Sequence, residues 1–224
     1  MPRLEPLGIR GVDSLHFYVR DMERMRHVLV DLLDFALVGE SDAELTARGR
    51  QKSAVFEAGA IRIVVSAPVG EGGRAWRFLR KHPDGVGTLA FEVEDIDKVW
   101  RLLGERGGTP ITDVQHFDDE GGRLSTFSIT SAFGDTTWRF FQRSGYAGIY
   151  PGIPRFAEPQ GGTNRWGFSH IDHITSNFET MKPALLWMEH VLGFEQYWDV
   201  EFHTVDVSGQ REAGSGLKSI VMHD

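Results

Sequence analysis

The sequence predicts an α+β protein built from tandem β-α-β-β-β modules, and three observations carry that prediction. Val12, Asp13, Leu15, Met22, Leu32, Leu33 and Phe35 return, without a gap, as Ile171, Asp172, Ile174, Met181, Val191, Leu192 and Phe194. A weaker copy lies between them, where Gly11, Val12, Leu15, Phe17, Val19 and Asp21 return as Gly85, Val86, Leu89, Phe91, Val93 and Asp95. The stretch from Ser144 to Trp166 is rich in Gly and Pro, has no sustained periodicity, and separates the first two copies from the third. A repeat of one supersecondary unit sets the architecture before any single element does.

In chain order, Val12 to Val19 alternates as a strand. Met22, Met25, Leu29, Leu32 and Leu33 then mark a helix opened by Asp21. A strand is expected near Phe35 to Gly39, and Ala54 to Glu57 with Ile61 to Val65 reads as a hairpin turning at Ala58, Gly59 and Ala60. Gly70 to Gly73 lacks the Gly-Lys-Ser/Thr ending of a phosphate loop, so it reads as a loop before a short helix, Ala75 to Lys81. The second module runs from a strand at Val86 through a helix bearing Ile96, Val99 and Leu103 to a stop at Gly107 and Gly108. Strands Leu124 to Thr130 and Thr137 to Gln142 follow. The third module opens with a strand through His173. Its helix carries Met181, Ala184, Leu185, Met188, Val191 and Leu192, and its strands lie at Gln196 to Val205 and Leu217 to Met222. The expected division is therefore 1–143, a linker 144–166, and 167–224.

A net charge of −8 and a pI near 5.6 argue against a nucleic-acid or anionic-membrane surface, either of which needs a clustered basic face. There is no apolar run of about 18 residues and no apolar signal core in MPRLEPLGIRG, so no membrane span and a cytoplasmic location are expected. The absence of cysteine removes disulfides and thiolate chemistry.

With cysteine absent, the histidines carry the candidate chemistry. On a strand His170 and Asp172 share one face and His173 points to the other. His170-Ile171-Asp172 has the spacing of a facial His-x-Asp iron motif, which also needs a distant histidine; His190, His203 and His223 are available, but spacing singles out none. His173 is distinguished by the repeat, because the first two copies place Ser14 and Thr88 at its position. Spacing alone also fits a histidine satisfied on a sheet.

The segments HIDHITSNF, HVLGFEQYW and GSGLKSIVM resemble the start of the catalytic domain of the 4-hydroxyphenylpyruvate dioxygenase family. GVGTLAFEVEDID and FGDTTWRFFQR resemble the second half of its N-terminal domain. The resemblance covers nearly the whole chain. It implies a vicinal oxygen chelate fold, with two modules per domain curling into an open barrel. Only the C-terminal barrel would bind Fe(II), through two histidines and a glutamate, and His173 falls on the first histidine. Ser219 and Asn177 fall on substrate-pocket positions. In the N-terminal barrel the matching positions are Ser14, Thr88 and Arg139, and arginine has no lone pair to offer a metal. That barrel is expected to be structural or an assembly surface.

The family's second histidine and its glutamate belong to a fourth module, which would lie beyond Asp224. One imidazole cannot hold iron in a facial triad. When the catalytic barrel is complete, the resemblance implies conversion of 4-hydroxyphenylpyruvate and O2 to homogentisate and CO2 in tyrosine catabolism. The partners would be a 2-oxo acid and O2, and the enzyme would be a homo-oligomer. The rival is a non-catalytic paralogue whose first barrel binds a small molecule or a partner. Minor alternatives are a hydroxymandelate synthase or another chelate-fold enzyme, such as an extradiol dioxygenase or a glyoxalase.

Overall fold

In the computed structural model, which describes residues 4–203 and 216–224, the chain opens with β1 (Ile9–Tyr18). Asp21 caps the helix that follows, its side chain accepting from the Arg24 N–H. Helix α1 (Met22–Arg26) passes directly into a π-helical stretch, His27–Leu32, that buries only Leu29. Leu32 and Leu33, expected on the buried face, are 54% and 37% exposed. Strands β2 (Ala36–Glu40), β3 (Gln51–Ala58) and β4 (Ile61–Pro68) complete the first module, with α2 (Ala43–Gly49) between β2 and β3 and α3 (Arg74–Leu79) after β4. The second module repeats the plan with β5 (Gly85–Val93), α4 (Ile96–Glu105), β6 (Pro110–Asp118), β7 (Arg123–Ile129) and β8 (Thr137–Ser144).

Two of these elements are additions to the sequence reading. Helix α2 buries none of its residues and is held by its ends: the Asp42 carboxylate accepts from the Leu45 N–H, and Arg50 takes the left-handed conformation. Strand β6 pairs only with β7 and is exposed along most of its length, so it shows no apolar alternation. An edge strand need not be written in hydrophobic period two.

With β9 (Gln160–Gly161) added at one edge, the strand order β6-β7-β8-β5-β1-β4-β3-β2-β9 makes the internal repeat visible. In each module the first strand runs parallel to the last, β1 beside β4 and β5 beside β8, while the antiparallel pair β1–β5 seams the modules together. The sheet stays open, since β6 and β9 end it without pairing to each other. Alternation then sorts the side chains. Leu89, Phe91, Phe127, Ile129, Trp138 and Phe140 face α4, and Phe35, Leu37, Phe56 and Val65 join Leu29 in a second outer cluster. The opposite face carries Ser14, His16, Thr88, Arg139 and Phe141.

The linker is bonded to this barrel along its length. Asp119 accepts backbone N–H groups from Gly121, Gly122, Ala147 and Gly148, and Asp34 accepts from the backbone of Thr163 and Arg165. Between them β9 (Gln160–Gly161) pairs with β2, and Ile149 and Ile153 are buried against Val38 and Val55.

The third module contains α5 (Lys182–Trp187), again continued as a π-helical stretch, Met188–Leu192, and ended by Gly193 at φ +80°. Its hairpin, β10 (Glu195–His203) with β11 (Gly216–His223), forms a separate two-stranded sheet. The end of the strand expected to reach Val205 lies outside the described residues. The strand expected through His173 does not form, and 168–181 is irregular. The cause is pairing: β1 is held between β4 and β5, and among the described residues the third module offers no counterpart of either. Its helix instead docks on the outer core of the second module, where Trp187 meets Trp138 edge-on at 5.4 Å and Val191 and Leu192 are buried.

Candidate functional site

His173 and Asn177 lie in the irregular segment, both exposed, whereas Ser219 is half-buried on β11 opposite Val200. No hydrogen bond links the three. His173 Nδ1 lies 2.7 Å from Asp172 Oδ2, and that contact holds the Asp172 carboxyl below the usual carboxylate range. His170 contacts Ser169, and His223 packs against Tyr197. Among the described residues no three His, Asp or Glu side chains are grouped to hold a metal. His173 leaves Nε2 without a partner among the described residues. A single imidazole beside one solvated carboxylate nevertheless falls short of a facial triad. The described residues therefore do not by themselves fit a resident iron.

The structure does bring Ser14, Thr88 and Arg139 together, on the inner face of the first barrel. They line a cavity of about 200 Å3 shared with His16, Tyr18, Gln51, Ser53 and Arg74. Strand register explains the meeting: His16 sits opposite Thr88, Thr88 opposite Thr137, and Ala90 opposite Arg139 across β1, β5 and β8. The hydroxyls form short chains. Ser66 Oγ lies 2.6 Å from Ser53 Oγ and 2.7 Å from His16 Nε2, it accepts from Gln51 Nε2, and Thr88 Oγ1 lies 2.9 Å from Thr137 Oγ1. Tyr150 also lines the cavity, with the Arg139 guanidinium 5.7 Å from its ring.

The cations around this cavity fall into two groups. Arg62 and Arg143 both donate to the nearly fully buried Asp13 carboxylate, at 3.2 and 2.9 Å, and Arg62 also pairs with Glu57 at 2.7 Å. Burial opposes ionisation of Glu57, yet the hydrogen bonds from Arg155 and Arg62 hold it below the ordinary glutamate range. Arg139 and Arg74 have no carboxylate partner among the described residues. Arg139 donates from Nε to Ser128 Oγ at 3.1 Å, and Arg74 donates to the carbonyls of Gly87 and Asp135. His16 lies deep beside them. Burial, with the Arg139 and Arg74 charges adding to it, pushes its pKa down to about 3, so the imidazole is neutral at neutral pH. A wider cleft of about 550 Å3 is bordered by His170, Arg10, Glu57, Arg62 and Glu92; there Arg62 pairs with Glu57 at 2.7 Å, and Arg10 lies 3.9 Å from Glu94 outside the lining.

The repeat singles out Ser14 and Thr88 and the family resemblance adds Arg139, but neither points to His16, Gln51 or Arg74. The alternation of Ser14, His16 and Tyr18 against Leu15, Phe17 and Val19 carried the signal for His16. Gln51 and Arg74 sit at element ends, where no periodicity marks an inward face.

Residues 13–127 match the family model of the Glyoxalase/Bleomycin resistance protein/Dioxygenase superfamily, and the chain belongs to that superfamily. Within it, the chain is similar to proteins named 4-hydroxyphenylpyruvate dioxygenase. It is 28% identical to the one from Coccidioides posadasii, covering 95% of this chain and 56% of that relative. It is 26% identical to the one from Dictyostelium discoideum, covering 96% of this chain and 59% of that relative. The chain thus spans little more than half the length of these curated relatives. In fold it matches a mutant of 4-hydroxymandelate synthase from Streptomyces coelicolor with a TM-score of 0.73 at 17% identity, over 97% of this chain and 60% of that one. It also matches methylmalonyl-CoA epimerase from Mycobacterium tuberculosis with a TM-score of 0.51 at 20% identity, over 63% of this chain and 92% of that one. The expected α+β chelate-type fold and the family resemblance are both borne out.

Proposed function

We propose that this chain is the N-terminal barrel, linker and opening of the catalytic barrel of a 4-hydroxyphenylpyruvate dioxygenase-like enzyme. The observation that carries this reading is the similarity to dioxygenases of that name along about 95% of the chain. The enzyme would act on a 2-oxo acid and O2, use Fe(II), and work as a cytoplasmic homo-oligomer in tyrosine catabolism with homogentisate as product. No described helix is long and apolar enough to cross a membrane, which agrees with this placement.

In this reading His173 is the ligand this chain contributes, and the other ligands come from the portion of the relatives that this chain does not cover. The free Nε2 of His173, with Nδ1 against a carboxylate, is the arrangement in which a metal-bound imidazole has its second nitrogen oriented. Ser219 and Asn177 would contact substrate once the segment around His173 is paired into a sheet. The test is to isolate the protein from its native source, supply Fe(II), ascorbate and 4-hydroxyphenylpyruvate, and follow oxygen uptake and aromatic product. Homogentisate is expected. 4-Hydroxymandelate would move the assignment to the synthase branch, and uptake no greater than a metal-only control would remove the dioxygenase reading. A second reading, a non-catalytic binding module, is favoured by the polar interior of the first barrel, where the ligand positions hold Ser14, Thr88 and Arg139.

A further inference from the structure

From the charge imbalance inside the first barrel we infer that its cavity is a binding site for a small carboxylic acid with an apolar body, held by Arg139 and Arg74. The inference is independent of the dioxygenase reading, because none of its residues belongs to the segment that carries His173.

Four guanidinium groups border the cavity, and Asp13 is the one carboxylate among its lining residues. Asp13 is already occupied by Arg62 and Arg143. That leaves Arg74 and Arg139, two half-buried cations whose hydrogen bonds all go to neutral oxygens. Neither Nη of Arg139 meets an acceptor among the described residues. Partly desolvated, uncompensated charge is expensive to hold, and a carboxylate that accepts from both guanidiniums would offset it. The guanidinium fork matches a planar two-oxygen anion, whereas the Ser14 hydroxyl is already donated to Asp13 Oδ1 at 2.9 Å.

The remaining walls set the other half of the ligand. Tyr18, Val55, Val64, Phe141, Ile149 and Ile153 give an apolar and aromatic lining, which suits a hydrocarbon body and gives a bare phosphate little to contact. About 200 Å3 is below the range of roughly 300–1,000 Å3 that holds drug-sized ligands, so the acid is small. Neutral His16 adds no third positive charge. A bound anion would oppose the Arg139 and Arg74 charges that disfavour its protonated form, so His16 reports occupancy.

The experiment is a calorimetric titration of the protein at low ionic strength with benzoate, 3-methylbutanoate and inorganic phosphate, with the His16 ring followed by NMR. At neutral pH both carboxylates are expected to bind saturably and to shift the His16 ring resonances, and uncharged benzamide to bind at least about tenfold more weakly than benzoate. Arg139→Gln and Arg74→Gln should each weaken benzoate binding at least about tenfold, and Arg24→Gln, on the exposed face of α1, should leave it unchanged. Each variant is checked by circular dichroism. Should one fail to fold, the other and the benzoate–benzamide pair on the unmodified protein decide. Absence of saturable carboxylate binding overturns the inference. So does benzoate binding that neither arginine substitution alters, or phosphate bound as tightly as the carboxylates.

Discussion

The first and third modules share a sequence pattern and use it in opposite ways. In the first, β1 is a strand at the centre of the sheet, paired with β5 on one edge and, over Leu15 to Tyr18, with β4 on the other, and the helix after it buries Leu29 while Leu32 and Leu33 face solvent. In the third, the matching strand is unpaired. The helix buries Val191 and Leu192, the counterparts of Leu32 and Leu33, while Met188, the counterpart of Leu29, is only half-buried. Even the helix ends agree: each runs from α into π geometry and stops at a left-handed residue, Asp34 at φ 60° and Gly193 at φ 80°. Local sequence fixes the helix and its stop. What the helix buries, and whether the strand exists at all, is decided by the neighbours.

Four measurements sharpen this contrast, and the largest effect should come from hydrogen exchange. Amides of β1 at Leu15 and Phe17 should approach the protection set by global unfolding. Those at 171–177 should exchange at least about 10^4 times faster, as expected for backbone without a ladder. Equal protection would mean that the third-module strand is paired in solution.

Next comes the exchange of buried faces. Leu192→Ala should destabilise by about 2–5 kcal/mol in urea denaturation, and Leu33→Ala by less than about 1 kcal/mol. Comparable losses would show that the two helices bury the same face after all.

The third effect concerns inward positions. His16 faces the cavity, and its counterpart Thr175 is exposed. The folded pKa of His16 near 3 lies below its ordinary value of 6.5. Between those values the unfolded chain takes up a proton that the fold excludes, so stability rises with pH through this window and is complete above it. Going from pH 7 to pH 5 should remove about 2 kcal/mol, and His16→Asn should flatten that part of the profile. An unchanged profile in the variant would place the titrating group elsewhere.

The smallest effect is expected at the helix stop. Gly193→Ala should cost about 1 kcal/mol for the left-handed conformation, with the added methyl meeting the flexible end of Arg106 at 2.9 Å. A neutral result would indicate that the third-module helix ends differently in solution.

Much of the fold was legible in the sequence because repeats and apolar alternation are written by burial. β1, β5, β7, β8 and α4 are buried on at least one face and were all expected. Helix α2 and strand β6 were missed for the same reason, since neither buries a residue and neither carries an apolar period. At the candidate metal site the sequence could nominate His173, but a strand is a property of its partners as much as of its residues, and the partners are not encoded next to it. The inner cavity was half legible. The repeat points to Ser14 and Thr88 and the family resemblance to Arg139, while the pairing of Arg62 and Arg143 with Asp13, which leaves two other arginines without a carboxylate, appears only in three dimensions.

The bonds from Asp34 and Asp119 change what kind of connection the Gly- and Pro-rich stretch can be. Backbone N–H donation holds both carboxyls below the usual aspartate range; the Arg165 amide leads at Asp34, and at Asp119 four amides prevail over the opposing effect of burial. A free chain of this composition would give its ends a broad distribution of separations. Pinned at both ends and threaded through β9, it behaves as a strut of fixed displacement. Mechanically, a rotation of the first barrel is delivered to the start of the third module with little slack.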